Sequence, residues 1–404
     1  MVILSGLAGQ WLTGDWAVTE RHALPALGFA IPRTSQNENL SQHRYRSVKE
    51  TREAQKPASA GGPVQDLAPG RPNQPAPMRR SEKDSGWVRL PTVEETVVAM
   101  IIAIFLIGFP WLHPGYRFLS LAITTGFTAI ALYGLGLQFG QAGIMSVGHA
   151  AFMGIGAYTA GILAGKLGIG FWGALPFSII FSALFAGLIG LPSLRVSGQH
   201  YIIITFCFCA LLNIAFTNGG SFTGGATGLD VGSIDPVLGI NFDRLFNAYY
   251  LVAVALLLCL LITYLLVNSS YGRTLRALRE NETLARSVGI NANVYKISAL
   301  MVSGAFAGVA GILQAYYLRH ISPTLYGPFP SLYLALMVML GGSRLLYGPL
   351  IGAIIVSFLP EIMHLDPIDS RIAYGVCLLV VILLLPGGVS AGLLNIYRRL
   401  CSRR

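Results

Sequence analysis

Charged side chains crowd one segment, YGRTLRALRENETLARSVGINANVY, from Tyr271 to Tyr295. Arg273, Arg276 and Arg279 recur every third residue, while Leu275, Leu278, Ala285 and Val288 trace a partly separate apolar stripe. That spacing predicts an amphipathic helix ending at Gly289, because glycine accepts the left-handed conformation that stops helices. Asn291 and Asn293 suit the turn that follows. Arginines so placed can lie among lipid headgroups or dock on a protein surface. Glu280 and Glu282 add a mixed charge for which a lipid anchor has little use, and on composition alone both readings stand.

A second segment, GQAGIMSVGHAAFMGIGAYTA from Gly140 to Ala160, sets Ser146 and His149 among closely spaced small residues, including Gly143, Gly148, Gly154 and Gly156. Small residues allow helices in a membrane to approach closely, so tight packing is the plain reading. An ionisable side chain in such a run faces either a cavity or a partner helix. His149 is therefore either a satisfied structural histidine or a group on a pathway.

Other chemistries lack their residues. The nearest approach to a phosphate-cradling loop, AGILAGK from Ala160 to Lys166, has Ala where the first Gly belongs and Leu167 after the Lys. There is no HExxH, and Ile144 stands where the first Gly of a GxSxG elbow would be. Of the five cysteines, Cys207, Cys209, Cys259 and Cys377 lie in apolar runs; Cys207 and Cys209 have no clustered His or second pair, so no metal site is expected. Asp and Glu are nearly absent from the apolar runs, with Glu361 close to a predicted boundary, which weighs against a proton relay.

The secondary structure that carries these side chains follows from composition. Hydrophobic residues make up 53% and charged residues 11%, a balance that suits lipid as the solvent. From residue 93 onward apolar runs alternate with short polar breaks, at about 96–113, 118–138, 148–165, 171–191, 200–216, 248–267, 295–317, 330–342, 347–363 and 371–392. The run at 330–342 is short for a span, and the Gly-rich 134–148 reads equally as a break, so eight to ten transmembrane helices are expected, with ten the central value. Only helices fit, since backbone polar groups in lipid must be satisfied within the segment. The fold class is an all-α integral membrane protein.

With the N-terminus inside and ten crossings, the cytoplasmic side receives Arg195, the 273–286 arginines, Arg344 and the C-terminal Arg398, Arg399, Arg403 and Arg404. The opposite side receives Asp230, Asp235, Asp243, Asp366 and Asp369, with Arg117, Lys166, Arg244, Arg319 and Arg371. The net charge of +10 thus reports topology, and aromatics interleaved with basic residues, as nucleic acid would require, are lacking. Residues 1–92 form a basic, Pro-rich extension too poor in large apolar residues to build a core, and they are expected to be disordered; 93–404 form the membrane domain.

The order RTLRALRENETLARSVGI closely resembles the cytoplasmic loop of bacterial ABC importer permeases of the branched-chain amino acid (LivM-type) group, which also includes urea and amide importers. The resemblance implies that Gly272, Arg273, Arg276, Arg279, Glu280, Glu282, Ala285 and Gly289 couple to an ATPase subunit. The Gly140–Ala160 segment is similar to a stretch of the same family near the translocation path, which makes Ser146, Gly148, His149 and Phe152 path candidates. Thr205, in the family-like stretch Leu194, Arg195, Gly198, Tyr201, joins them. Thr223, Gly224, Gly225 and Gly228 resemble an outward loop and are candidates for docking a binding protein. GGSRLLYGPLIGA from Gly341 departs from the family pattern at Arg344 and Leu345. The resemblance covers about residues 96–395. It implies a transport subunit of the bacterial inner membrane, not an enzyme, with no cofactor of its own: ATP and Mg would sit on two ATP-binding partners. A second permease subunit and a periplasmic solute-binding protein would complete the importer. An ion-coupled secondary carrier of small solutes is the alternative.

Overall fold

The computed structural model describes residues 104, 106–112, 115–193, 199–236, 241–343, 345–363, 375–376, 388–390 and 392. The extension 1–92, most of the expected spans 96–113 and 371–392, and Arg195, Arg344 and the C-terminal arginines lie outside them.

After a short 3-10 turn at Phe109–Leu112 the chain enters α1, Tyr116–Gly136, which continues as a π-helical turn, Leu137–Gln141. Then come α2 (His149–Leu167), α3 (Phe171–Ser193) and α4 (Gln199–Asn218). α5 (Leu245–Asn268) is followed by two short helices, α6 (Ser270–Glu280) and α7 (Glu282–Ser287). α8 (Ala292–Leu318), α9 (Pro328–Gly341) and α10 (Gly348–Met363) complete the bundle. A two-residue strand β1, Leu229–Asp230, pairs antiparallel with β2, His320–Ile321.

Seven segments among the described residues are long and apolar enough to cross a membrane, and α10 is a shorter apolar helix. The chain is thus a multi-pass helical membrane protein. The short run at 330–342 gains length because a 3-10 turn, Pro323–Tyr326, leads into α9, giving the 19-residue apolar segment Pro323–Gly341. Prolines at its start carry no N–H, and they fall where helix N–H groups lack internal partners anyway.

α1, α2 and α8 form the centre, contributing fully buried Ile123, Ala131, Ala157, Ala307 and Ala310. Small residues set their separation. A methyl group at Gly308 of α8 would lie 2.7 Å from the Ser178 carbonyl oxygen of α3, and on its other flank Gly308 meets Gly156 of α2. α3, α4 and α5 turn apolar side chains outward, including Phe181, Leu188, Ile203, Leu211, Leu258 and Leu265. This is the arrangement that lipid rewards, since a bilayer puts no penalty on exposed leucine.

Contacts sort the connections into two ends. At one, α6 reaches the end of α1 through Arg276 and Gln141, and Gly140 packs on Ser343. At the other, Lys166 lies over the Phe222 ring at 4.2 Å, Arg319 pairs with Asp243 at 2.6 Å, and β1 meets β2.

Candidate functional site

The end of α1 departs from α-helical geometry. In the π turn the Ala142 N–H donates to the Leu137 carbonyl at 3.3 Å, an extra residue per turn of the kind frequent at functional sites. Gln138, fully buried there, accepts from Ser303 Oγ of α8 at 3.1 Å and donates to the Tyr201 hydroxyl of α4 at 3.3 Å. One amide thus joins helices remote in sequence. Gln138 was not among the expected site residues; a glutamine within an apolar run was the signal available.

Beyond the π turn the chain folds back into the bundle. His149 Nε2 donates to the Ala131 carbonyl at 2.9 Å. Ala131 lies ten residues before Gln141, so α2 begins roughly 15 Å inside the end of α1. A helix start at that depth needs partners for its N–H groups. Thr205 Oγ1 accepts from Val147 N at 3.1 Å, Ser146 Oγ from Gly148 N at 3.3 Å, and Ser331 Oγ of α9 from Ala150 N at 3.1 Å. Gly148 is required by proximity, because a Cβ there would stand 2.5 Å from the Thr205 carbonyl oxygen.

The path candidates are therefore one cluster. Ser146, Gly148, His149, Phe152 and Thr205 come together and are all buried, with the His149 and Phe152 rings edge to face at 6.1 Å. Their hydroxyls satisfy backbone, so packing accounts for most of this polarity. Two parts of the cluster remain uncommitted. His149 Nδ1, left as the acceptor by the Nε2 bond, has no partner among the described residues, and a narrow apolar cavity lined by Leu135, Phe139, Met145, Val338 and Met339 touches Ser146.

The expected single amphipathic helix 273–289 is in fact two. Asn281, extended at φ −153°, separates α6 from α7, and its Oδ1 accepts from Leu284 N at 2.9 Å as a helix cap. Asn291 caps α8 in the same way, accepting from Val294 N. Gly289 does close the segment, at φ +89°.

The coupling candidates divide between two faces. Arg276 Nη1 donates to Gln141 Oε1 and to the Val267 carbonyl, both at 3.1 Å, and Arg279 Nη1 donates to the Gly140 carbonyl. Gly143, at φ +72°, turns the chain so that its Cα packs against the Arg279 stem. Gly272 is buried against the carbonyls of Leu266 and Val267, and Ala285 packs with Leu278 and Ala292. Facing away are Arg273, Glu280, Leu284 and Val288, all exposed. Glu282 sits between, 2.6 Å from Lys296 Nζ and 2.8 Å from Arg286 Nη2. The Lys296 hydrogen bond, seconded by that of Arg286, holds its carboxyl below the usual carboxylate range.

At the opposite end, Thr223 Oγ1 donates to the Phe216 carbonyl at 2.6 Å and anchors a tight loop. Gly224, Gly225 and Gly228 take positive φ there, and Gly228 packs on the Ile321 carbonyl of β2. Asp235 Oδ2 accepts from Phe171 N at 3.1 Å, so an acidic group caps the start of α3.

A bundle of membrane-length helices, interrupted within the bundle and tied to a charged segment at one end, belongs to the class of transport permeases. The chain belongs to the family described as branched-chain amino acid transport system / permease component, which matches residues 117–386. It is 29% identical over 296 residues to the high-affinity branched-chain amino acid transport system permease protein LivM of Salmonella typhimurium, covering 68% of this chain and 69% of that protein. It is 25% identical over 305 residues to the ribose import permease protein RbsC of Haemophilus influenzae, covering 72% and 92%. A probable branched-chain amino acid transport permease LivM of Methanocaldococcus jannaschii is 24% identical over 285 residues, with 62% and 82% covered. No solved structure matches.

Proposed function

We propose that this chain is the membrane-spanning permease subunit of an ATP-driven ABC importer. It carries branched-chain amino acids, or related small amino acids and amides such as urea, into the cytoplasm across a bacterial inner membrane. The observation that carries this reading is the tie between α6 and the end of α1 through Arg276 and Arg279. A push on the exposed face of α6–α7 reaches the π turn and, eight residues on, the buried start of α2. The permease would contribute differential affinity in two conformations, and its partners would supply the energy.

The partners that fit are a second permease subunit, two ATP-binding subunits on the α6–α7 end and a periplasmic solute-binding protein over the Thr223–Gly228 loop. Both termini are then cytoplasmic, which in a ten-crossing chain puts them on the side of the α6–α7 arginines. The seven membrane-length segments contain no Asp or Glu, and the shorter α10 holds only Glu361 near its end, which favours an external motor over a proton relay.

Purification of the tagged chain in mild detergent, with mass spectrometry of what co-purifies, tests the assembly. Two ATP-binding chains and a second permease are expected, and the reconstituted complex should take up leucine only with ATP. Recovery of this chain alone, with uptake that persists without ATP, would establish the ion-coupled carrier instead.

A further inference from the structure

Past the buried start of α2, aromatic rings continue along the seam between α2 and α4 towards the end of the bundle opposite α6. Phe152 of α2 meets Phe208 of α4 with ring centroids 6.0 Å apart, and about two turns further on Tyr158 stacks on Phe216 at 4.2 Å. Tyr326, in the turn before α9, closes the group edge to face with Tyr158 at 6.3 Å. Tyr158 and Tyr326 are 2% and 1% exposed, yet neither hydroxyl has a hydrogen-bond partner among the described residues. The unpartnered His149 Nδ1 stands at the inner foot of the same seam, its ring against Phe152. One wall of the seam is thinly held, because α4 is the least buried of the seven membrane-length segments. Its side-chain ties fall every fourth residue: Tyr201 to Gln138, Thr205 to Val147 N, Cys209 to the Tyr326 carbonyl and Asn213 to the Pro323 carbonyl.

We infer that this seam is the gate on the side away from α6, shut in this structure, and that the Tyr158 and Tyr326 hydroxyls bias it towards opening. The inference rests on the importer reading and deepens it by naming the residues that close the path. Ring stacking and the α4 ties favour the shut state. A buried hydroxyl without a partner opposes it, and water entering between α2 and α4 would satisfy both tyrosines and His149 Nδ1 at once. The two effects act in opposite directions, so the gate is balanced and not locked. Phenylalanine at either tyrosine would keep the packing and lose the bias. Tyr158 and Tyr326 are thus positioning residues of the shut gate. The outward loop has a direct hold on it, since Thr223 Oγ1 donates to the carbonyl of Phe216, and a partner seated on that loop pulls on a ring of the seam.

The test uses the whole transporter in proteoliposomes, with the five native cysteines replaced by serine; Cys209→Ser keeps a donor towards the Tyr326 carbonyl. Leu212, half-buried and one turn from both Phe208 and Phe216 on α4, is the reporter. Adding Tyr158→Phe and Tyr326→Phe to Leu212→Cys should slow its reaction with a small thiol reagent about tenfold, because labelling follows the open fraction. Independently, the pair Tyr158→Cys and Phe216→Cys should lose leucine uptake when bridged by a short disulfide-forming cross-linker and regain it on reduction. Either single variant should be insensitive to the same treatment. Unchanged labelling in the Phe variants would overturn the role of the hydroxyls. Faster labelling would overturn it too, showing that they hold the seam shut through trapped water. Uptake that persists across a formed bridge would overturn the gate. Uptake that needs no ATP, yet is still blocked by the bridge, would remove the importer reading and leave the gate standing in a carrier.

Discussion

Glu282 shows how much of the site is decided by single side chains. It accepts from Lys296 of α8 and from Arg286 of α7, so it joins the α6–α7 segment to the next span. Because its folded-state pKa is lowered, the clamp's contribution is fully present above the ordinary carboxylate pKa and is lost as pH falls through the lowered value. The pair is partly exposed and contributes less than about 1 kcal/mol, but that is enough to alter local opening. The protection of amides in residues 282–296, measured against their intrinsic exchange at each pH, should fall on acidification below the usual carboxylate range. Glu282→Gln should show the lower protection already at neutral pH, with little further loss of protection in acid. Arg273, Arg276 and Arg279 look equivalent in sequence, yet only the last two reach the end of α1.

At the scale of elements, the stop at Gly289 carries the most consequence. Its φ of +89° is closed to proline, and its N–H donates to the Arg286 carbonyl at 3.0 Å, a bond that proline cannot make. Gly289→Pro should therefore disorder the passage from α7 into α8 at a cost of about 3 kcal/mol locally, while the apolar spans still insert. ATP hydrolysis by the assembled importer should then lose its dependence on solute, and uptake should fall at least tenfold. Normal coupled uptake by this variant would remove the segment from the mechanism. The same scale contains the clearest difference from expectation. Asn281 breaks the predicted helix because its side chain caps α7 better than its backbone continues α6.

For the whole molecule, Arg273, Arg276, Arg279 and Arg286 lie at one end and Asp230, Asp235 and Asp243 at the other. Single cysteines at Arg273 and Asp230 should react with impermeant reagent from opposite sides of the membrane, and labelling of both from one side would refute the ten-crossing topology. The extension 1–92 has the composition of a segment without a core. Its deletion should leave co-purification with the partner subunits unchanged; loss of the complex would make it a docking element.

Hydropathy alone determined the membrane solvent, the helical class and the bounds of most spans to within a few residues, because a lipid-crossing helix needs a length and an apolarity that few other segments have. Local chemistry also announced the glycine at 289 and the charged segment around it. Tertiary structure alone decided that Ser146, Thr205 and Ser331 converge on a helix start buried in the bundle, and that Gln138 joins α1, α4 and α8. Ser146 and Ser331 lie 185 positions apart. Their pairing follows from which faces of the helices pack together, and with apolar residues on nearly every face the hydrophobic pattern holds too little contrast to specify that choice.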